Sequence, residues 1–271
     1  MVDADRLPGV LAGQSELDGA GRKRPKWRLP GWSLSLYPEA REAAGYFRSS
    51  YDPAANAVRT ERGESADPER SERVAASRAR TAVRRYCAAN RTNRFGTLTY
   101  GNGGCRDPKQ VRRDVGEFFR NLRMGLGGRP LPYVWVPEFH ADGERFHVHF
   151  AVARYIRRSL IEDAWGRRHV HIKLLGDLPV GSSEVDEARQ SARYLSKYFG
   201  KDMGSCRELG LHRYDVAQGF KPRQVKLFSA DLRGVIGDAC DLMGGRPQVF
   251  TTSDEWPQWG GPFVVAMSWL S

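Results

Sequence analysis

The chain is poor in cysteine, in acid and in long apolar stretches. Its four cysteines, Cys87, Cys105, Cys206 and Cys240, are scattered over 271 residues without a CxxC pair. That argues against a zinc ribbon or a disulfide framework and predicts free thiols in a reducing compartment. No apolar run approaches the roughly 18 residues of a membrane span. The N-terminus, MVDADRLPGV, lacks the basic and apolar regions of a signal peptide. A cytoplasmic location with no membrane partner is therefore expected. There is no GxxxxGK[ST] loop, so no built-in ATP-driven motor is expected. Acids number 32 against 43 lysines and arginines, giving a formal net charge of +11 and a pI near 9.7. A surplus of that size is the electrostatic footprint of a nucleic-acid partner.

What is present divides into three stretches. Residues 1–30 form a basic flexible arm, with GRKRPKWR at 21–28. Residues 31–90 form an N-terminal extension, in which Trp32, Tyr37, Tyr46, Phe47 and Tyr51 precede a helix over 68–90. Residues 91–271 form the main domain. There the patterns predict strands at FGTLTY (95–100), YVWVPE (133–138), FHVHFAV (146–152) and VHIKLL (170–175). They predict helices at 108–125, 157–164, 184–199 and around 229–243.

In FHVHFAV, side chains at i and i+2 share a face. Phe146, Val148, Phe150 and Val152 give one apolar face, and His147 and His149 lie side by side on the other. Asp142-Gly143 is a strong hairpin signal. A two-residue turn there sets Glu138 opposite His147, and opposed residues share a sheet face. Two imidazoles and a carboxylate suit a divalent cation, with Mg²⁺ or Mn²⁺ fitting phosphate chemistry best. Pro137 donates no ladder hydrogen bond, and a bulge there would favour His140 over Glu138 as third ligand. A second pair, His169 and His171, begins a later strand and reads as a surface strand end or a phosphate contact.

On the 184–199 helix, Val185, Ala188, Ala192, Leu195 and Phe199 form the core stripe, with Ser183 as cap and Gly200 as stop. Tyr194 and Tyr198 sit one turn apart beside that stripe. Lys197 lies three residues from Tyr194, and Lys201 stands in the same relation to Tyr198. A phenol has a pKa near ~10, and a neighbouring ammonium favours its phenolate.

Taken in order, FGTLTY (95–100), FHVHF (146–150) and ARYLSKYFGK (192–201) resemble the motifs of HUH-superfamily endonucleases. The nearest type is the two-tyrosine rolling-circle replication initiator of small phages and actinobacterial plasmids. The resemblance covers about 95–201. It implies an α+β fold, an RRM-like central antiparallel sheet with helices packed on it, plus the N-terminal extension. It implies nicking of one strand of single-stranded or cruciform origin DNA through a 5′-phosphotyrosine, and rejoining at termination. His147 and His149 match the metal pair, and Tyr194 and Tyr198 match the tyrosine positions, with Tyr194 slightly favoured for the first attack. Lys197 assists, and Arg193 and Lys201 contact DNA. A host helicase and a replicative polymerase are the implied partners. A relaxase or single-strand transposase would share this chemistry. A non-catalytic RRM-like binder would instead stack bases on Trp135 or Phe146.

Overall fold

The computed structural model describes residues 30–49, 65–101, 103–166, 168–174, 182–199, 212–256 and 263–270. In chain order the elements are β1 (Gly31–Tyr37), β2 (Glu42–Arg48), α1 (Pro68–Asn90), β3 (Arg94–Tyr100), α2 (Pro108–Gly125), β4 (Tyr133–Phe139) and β5 (Phe146–Val152). They continue with α3 (Arg158–Trp165), β6 (Arg168–Leu174), α4 (Glu184–Ser196), β7 (Asp215–Val216), β8 (Val225–Ser229), α5 (Leu232–Met243), β9 (Val249–Thr252) and β10 (Val264–Ser268). The architecture is α+β, with two antiparallel five-stranded sheets.

The chain divides into two compact units, at places other than the boundaries expected at 30/31 and 90/91. One holds the sequence to Ala66 together with Arg223–Leu270, and the other runs from Asp67 to Pro222. Helix α1 belongs to the second unit, because its Ala79, Val83 and Cys87 pack with Phe95 of β3 and Ala188 of α4. The terminal stretch 223–270 belongs to the first, because β8 and β10 pair with β1 and β2.

In the second unit the strand order is β6-β3-β5-β4-β7, all antiparallel. The succession β3-α2-β4-β5-α3-β6 puts β5 between β3 and β4, the split βαβ arrangement of RRM-like folds. Each face of this sheet has its own helical layer. Leu98, Val148, Phe150 and Trp135 point to α2 and α3, meeting Val115, Phe118, Leu122, Ile161 and Trp165. Phe95, Val134, Val136 and Ala151 point the other way, to α1 and α4. Trp135 and Phe146 are both buried under the first layer. Neither can stack a base, which corrects the expectation attached to the non-catalytic binder.

In the first unit the order is β8-β1-β2-β10-β9, and α5 packs Val235 and Ala239 against Leu34, Leu36, Val265 and Met267. Among the described residues no helix is long and apolar enough to cross a membrane.

Candidate metal and tyrosine site

The central hairpin positions the first half of the site. β4 and β5 pair with Glu138 opposite His147 and Val136 opposite His149. Pro137 stands opposite Val148 without a bulge, so the expected parity holds. Its missing N–H is tolerated although β4 is flanked on both sides, because β7 pairs only at Val134 and Trp135. The turn is tied by its own acid. Asp142 Oδ1 accepts from the backbone N–H of Glu144 at 3.0 Å and of Arg145 at 3.1 Å. Gly143 takes φ +73°, a conformation that favours glycine.

Glu138 Oε2 is the hub of the cluster. It lies 2.6 Å from His149 Nε2 and is hydrogen bonded to His147 Nε2. One ligand atom from each of the three residues lies within 4.8 Å of the others. Two imidazole nitrogens and a carboxylate oxygen converging this closely fit a divalent cation with open coordination positions. The ring of His140 adjoins that of His147, with centroids 4.5 Å apart, but His140 is outside the cluster. Burial raises the Glu138 pKa, but hydrogen bonds from both imidazoles and their charge outweigh it and bring it down to about 2. Burial is also the main cause holding the His149 pKa below its ordinary value. Both effects favour a metal-binding state at neutral pH: an ionised carboxylate and a neutral imidazole.

Two residues passed over in the sequence complete the surroundings. Thr97 of β3 is the direct cross-strand partner of His149, and its Oγ1 lies 2.9 Å from His149 Nδ1. For Nε2 to offer its lone pair to a cation, the ring proton must sit on Nδ1, where Thr97 Oγ1 can accept it. Phe95, two residues earlier on the same face, stacks on His149 with centroids 5.5 Å apart and meets Tyr194 edge-on at 4.7 Å. Strand alternation in FGTLTY could have flagged both, given the β3–β5 register.

The second half comes from α4. Ser183 caps it, accepting from Asp186 N at 3.3 Å, and Val185, Ala188, Ala192 and Leu195 form its buried stripe. The helix ends at Ser196 and tightens into a 3-10 turn over Lys197–Phe199, short of the expected end at 199. Final turns often tighten this way to satisfy orphan carbonyls. Tyr194 is thus on the helix and Tyr198 on the turn, and the two rings lie 5.7 Å apart. Tyr198 lies flat on His149, with centroids 3.9 Å apart and planes within 16°. Its pKa is raised, first by burial, then by its hydrogen bond with Tyr194 and by the charges of Tyr194 and Glu138. Lys197 Nζ stands 5.1 Å from the Tyr194 ring centroid. Arg193 is exposed on the same helix. Lys201 and Gly200 lie outside the described residues, as does the basic arm before residue 30.

The second histidine pair falls on β6, where His171 is opposite Thr97 and His169 opposite Thr99. Both are exposed and share the sheet face of the cluster without joining it. No curated protein and no solved structure matches this chain. Residues 93–203, which carry the three cluster residues and both tyrosines, match the family described as replication-associated protein ORF2, and this supports a rolling-circle replication initiator family for the chain.

Proposed function

We propose that this chain nicks one strand of origin DNA to start rolling-circle replication, using Tyr194 and Tyr198 as nucleophiles beside a cation held by Glu138, His147 and His149. The observation that carries this reading is the stacking of Tyr198 on His149, which brings the tyrosine pair and the ligand cluster into one place. A divalent cation held there would polarise the scissile phosphate and offset the carboxylate charge beside Tyr198.

The chain's own groups do the rest. The tyrosine hydroxyl oxygen attacks phosphorus, a P–O bond to tyrosine forms, and the P–O3′ bond breaks. The 3′ oxygen leaves and takes up a proton as a 3′ hydroxyl that a polymerase can extend. One phosphodiester replaces another, so the reverse attack by a 3′ hydroxyl rejoins DNA without ATP. Lys197, beside Tyr194, favours the phenolate and offers a positive charge to the phosphate. Tyr198 keeps its proton more tightly. Tyr194 therefore takes the first attack and Tyr198 the second cleavage at termination. Arg193 and Lys201 hold the strand, and unwinding falls to a separate helicase.

The test is incubation with labelled single-stranded origin DNA and Mn²⁺, read on a denaturing gel. A protein–DNA adduct is expected. Tyr194→Phe should slow its formation, and the Tyr194→Phe/Tyr198→Phe double variant should abolish it. Salt-sensitive binding to a cognate origin with neither adduct nor cleavage would overturn the proposal.

A further inference from the structure

The family match ends at residue 203 and leaves the first unit without a role. Its sheet has a helix-covered face and a face of different chemistry. Opposed residues share a face and successive ones alternate. Leu34, Leu36, Val265 and Met267 face α5, so Ser33, Ser35, Ala44, Tyr46, Arg48, Ala266, Lys226 and Phe228 face the other way.

The middle of that second face is made of small residues. Lys226, Ser35, Ala44 and Ala266 form one cross-strand row. Phe228, Ser33, Tyr46 and Val264 form the next. Tyr46 stands 45% exposed at the centre of the sheet. The Arg48 guanidinium is 5.1 Å from the Phe228 ring centroid, and its Nε has no hydrogen-bond acceptor. Gly31, opposite Arg48, makes this possible: a Cβ there would meet the Phe228 ring at 2.8 Å. Lys226 lies over the adjacent row, its Nζ donating to Ser35 Oγ at 2.6 Å. The acid at a strand position on this face, among the described residues, is Glu42. It is buried at the far end of β2 from Arg48.

We infer that this face is a second DNA-binding surface that takes an unpaired strand, with one base stacked on Tyr46, a neighbour against the Arg48–Phe228 pair, and Lys226 on phosphate. An exposed ring and a braced planar cation on a floor of small side chains suit bases with free π-faces. A duplex keeps those faces stacked inside, and the positive charge suits a polyanion over an apolar peptide. The inference does not rest on the nicking chemistry, only on DNA as the ligand.

The test uses the full chain with EDTA present, so that cation-dependent contacts do not contribute. Fluorescence anisotropy with labelled oligothymidine is compared with a duplex of equal length. Tyr46→Ala should weaken oligothymidine binding by about tenfold and leave duplex binding unchanged, while Tyr46→Phe stays near wild type. Arg48→Ala should weaken binding and lower the salt slope by roughly one. Unchanged oligothymidine affinity in both alanine variants would overturn the inference. So would an equal loss on duplex, which would mean charge without stacking, or dissociation of a dimer by Tyr46→Ala, which would mean a second copy covers the face. Failure of the nicking assay would leave these readouts standing.

Discussion

At the scale of residues, the site depends on how few atoms hold the histidines in place. Thr97 Oγ1 touches His149 Nδ1 and no cluster atom, so it acts by positioning. Thr97→Val should lower cation affinity about 10–100-fold, measured by calorimetric titration with Mn²⁺, and added cation should restore cleavage. Glu138 supports the fold through its ionised form. Its pKa in the folded chain, about 2, is depressed from 4.5, so its contribution is fully present above about pH 4.5 and lost as pH falls towards 2. Glu138→Gln should therefore flatten the acid limb of stability in that window, followed by urea unfolding across pH. The Glu138–His147 pairing was legible because the turn residues fix the register and the register fixes the face. Thr97 and Phe95 were not, because their contacts depend on a pairing about fifty residues away in sequence, which no local pattern encodes.

At the scale of elements, α4 is the lever that sets the tyrosines over the sheet. Its Ser183 cap satisfies an otherwise unpaired N–H. Ser183→Ala should cost about 1 kcal/mol of stability in thermal melting. The β3 strand is held close to β5 by a missing side chain. A Cβ at Gly96 would meet the Phe150 ring at 2.5 Å. Gly96→Ala should destabilise by roughly 1–3 kcal/mol in chemical denaturation, through overpacking. Helices with strong caps and apolar stripes, such as α1 and α2, were readable to the residue at 68–90 and 108–125. The last turn of α4 was not, since the helical stripe continues smoothly through Lys197 while the backbone tightens. Strand pairing in the first unit was hidden for another reason: β1 and β2 take their neighbours from beyond residue 223, and short half-exposed strands carry no sign of such distant partners.

At the scale of the whole molecule, the surplus of 43 basic over 32 acidic residues is not spent on internal pairs at the site, where the described cluster is neutral imidazole and one carboxylate. DNA affinity should fall steeply and linearly on a log–log plot against salt, in anisotropy titrations, as bound counterions are released. The account's central claim is that the tyrosines and the His–Glu cluster are one catalytic site. Trypsin can test it directly, because Arg193 and Lys197 place Tyr194 in the peptide YLSK and separate it from Tyr198. Mass spectrometry of the Mn²⁺-dependent adduct should find the nucleotide on Tyr194, shifting to Tyr198 in Tyr194→Phe and disappearing when His147 and His149 are both replaced by alanine. A nucleotide on any other residue, or an adduct that persists without the two histidines, would contradict it.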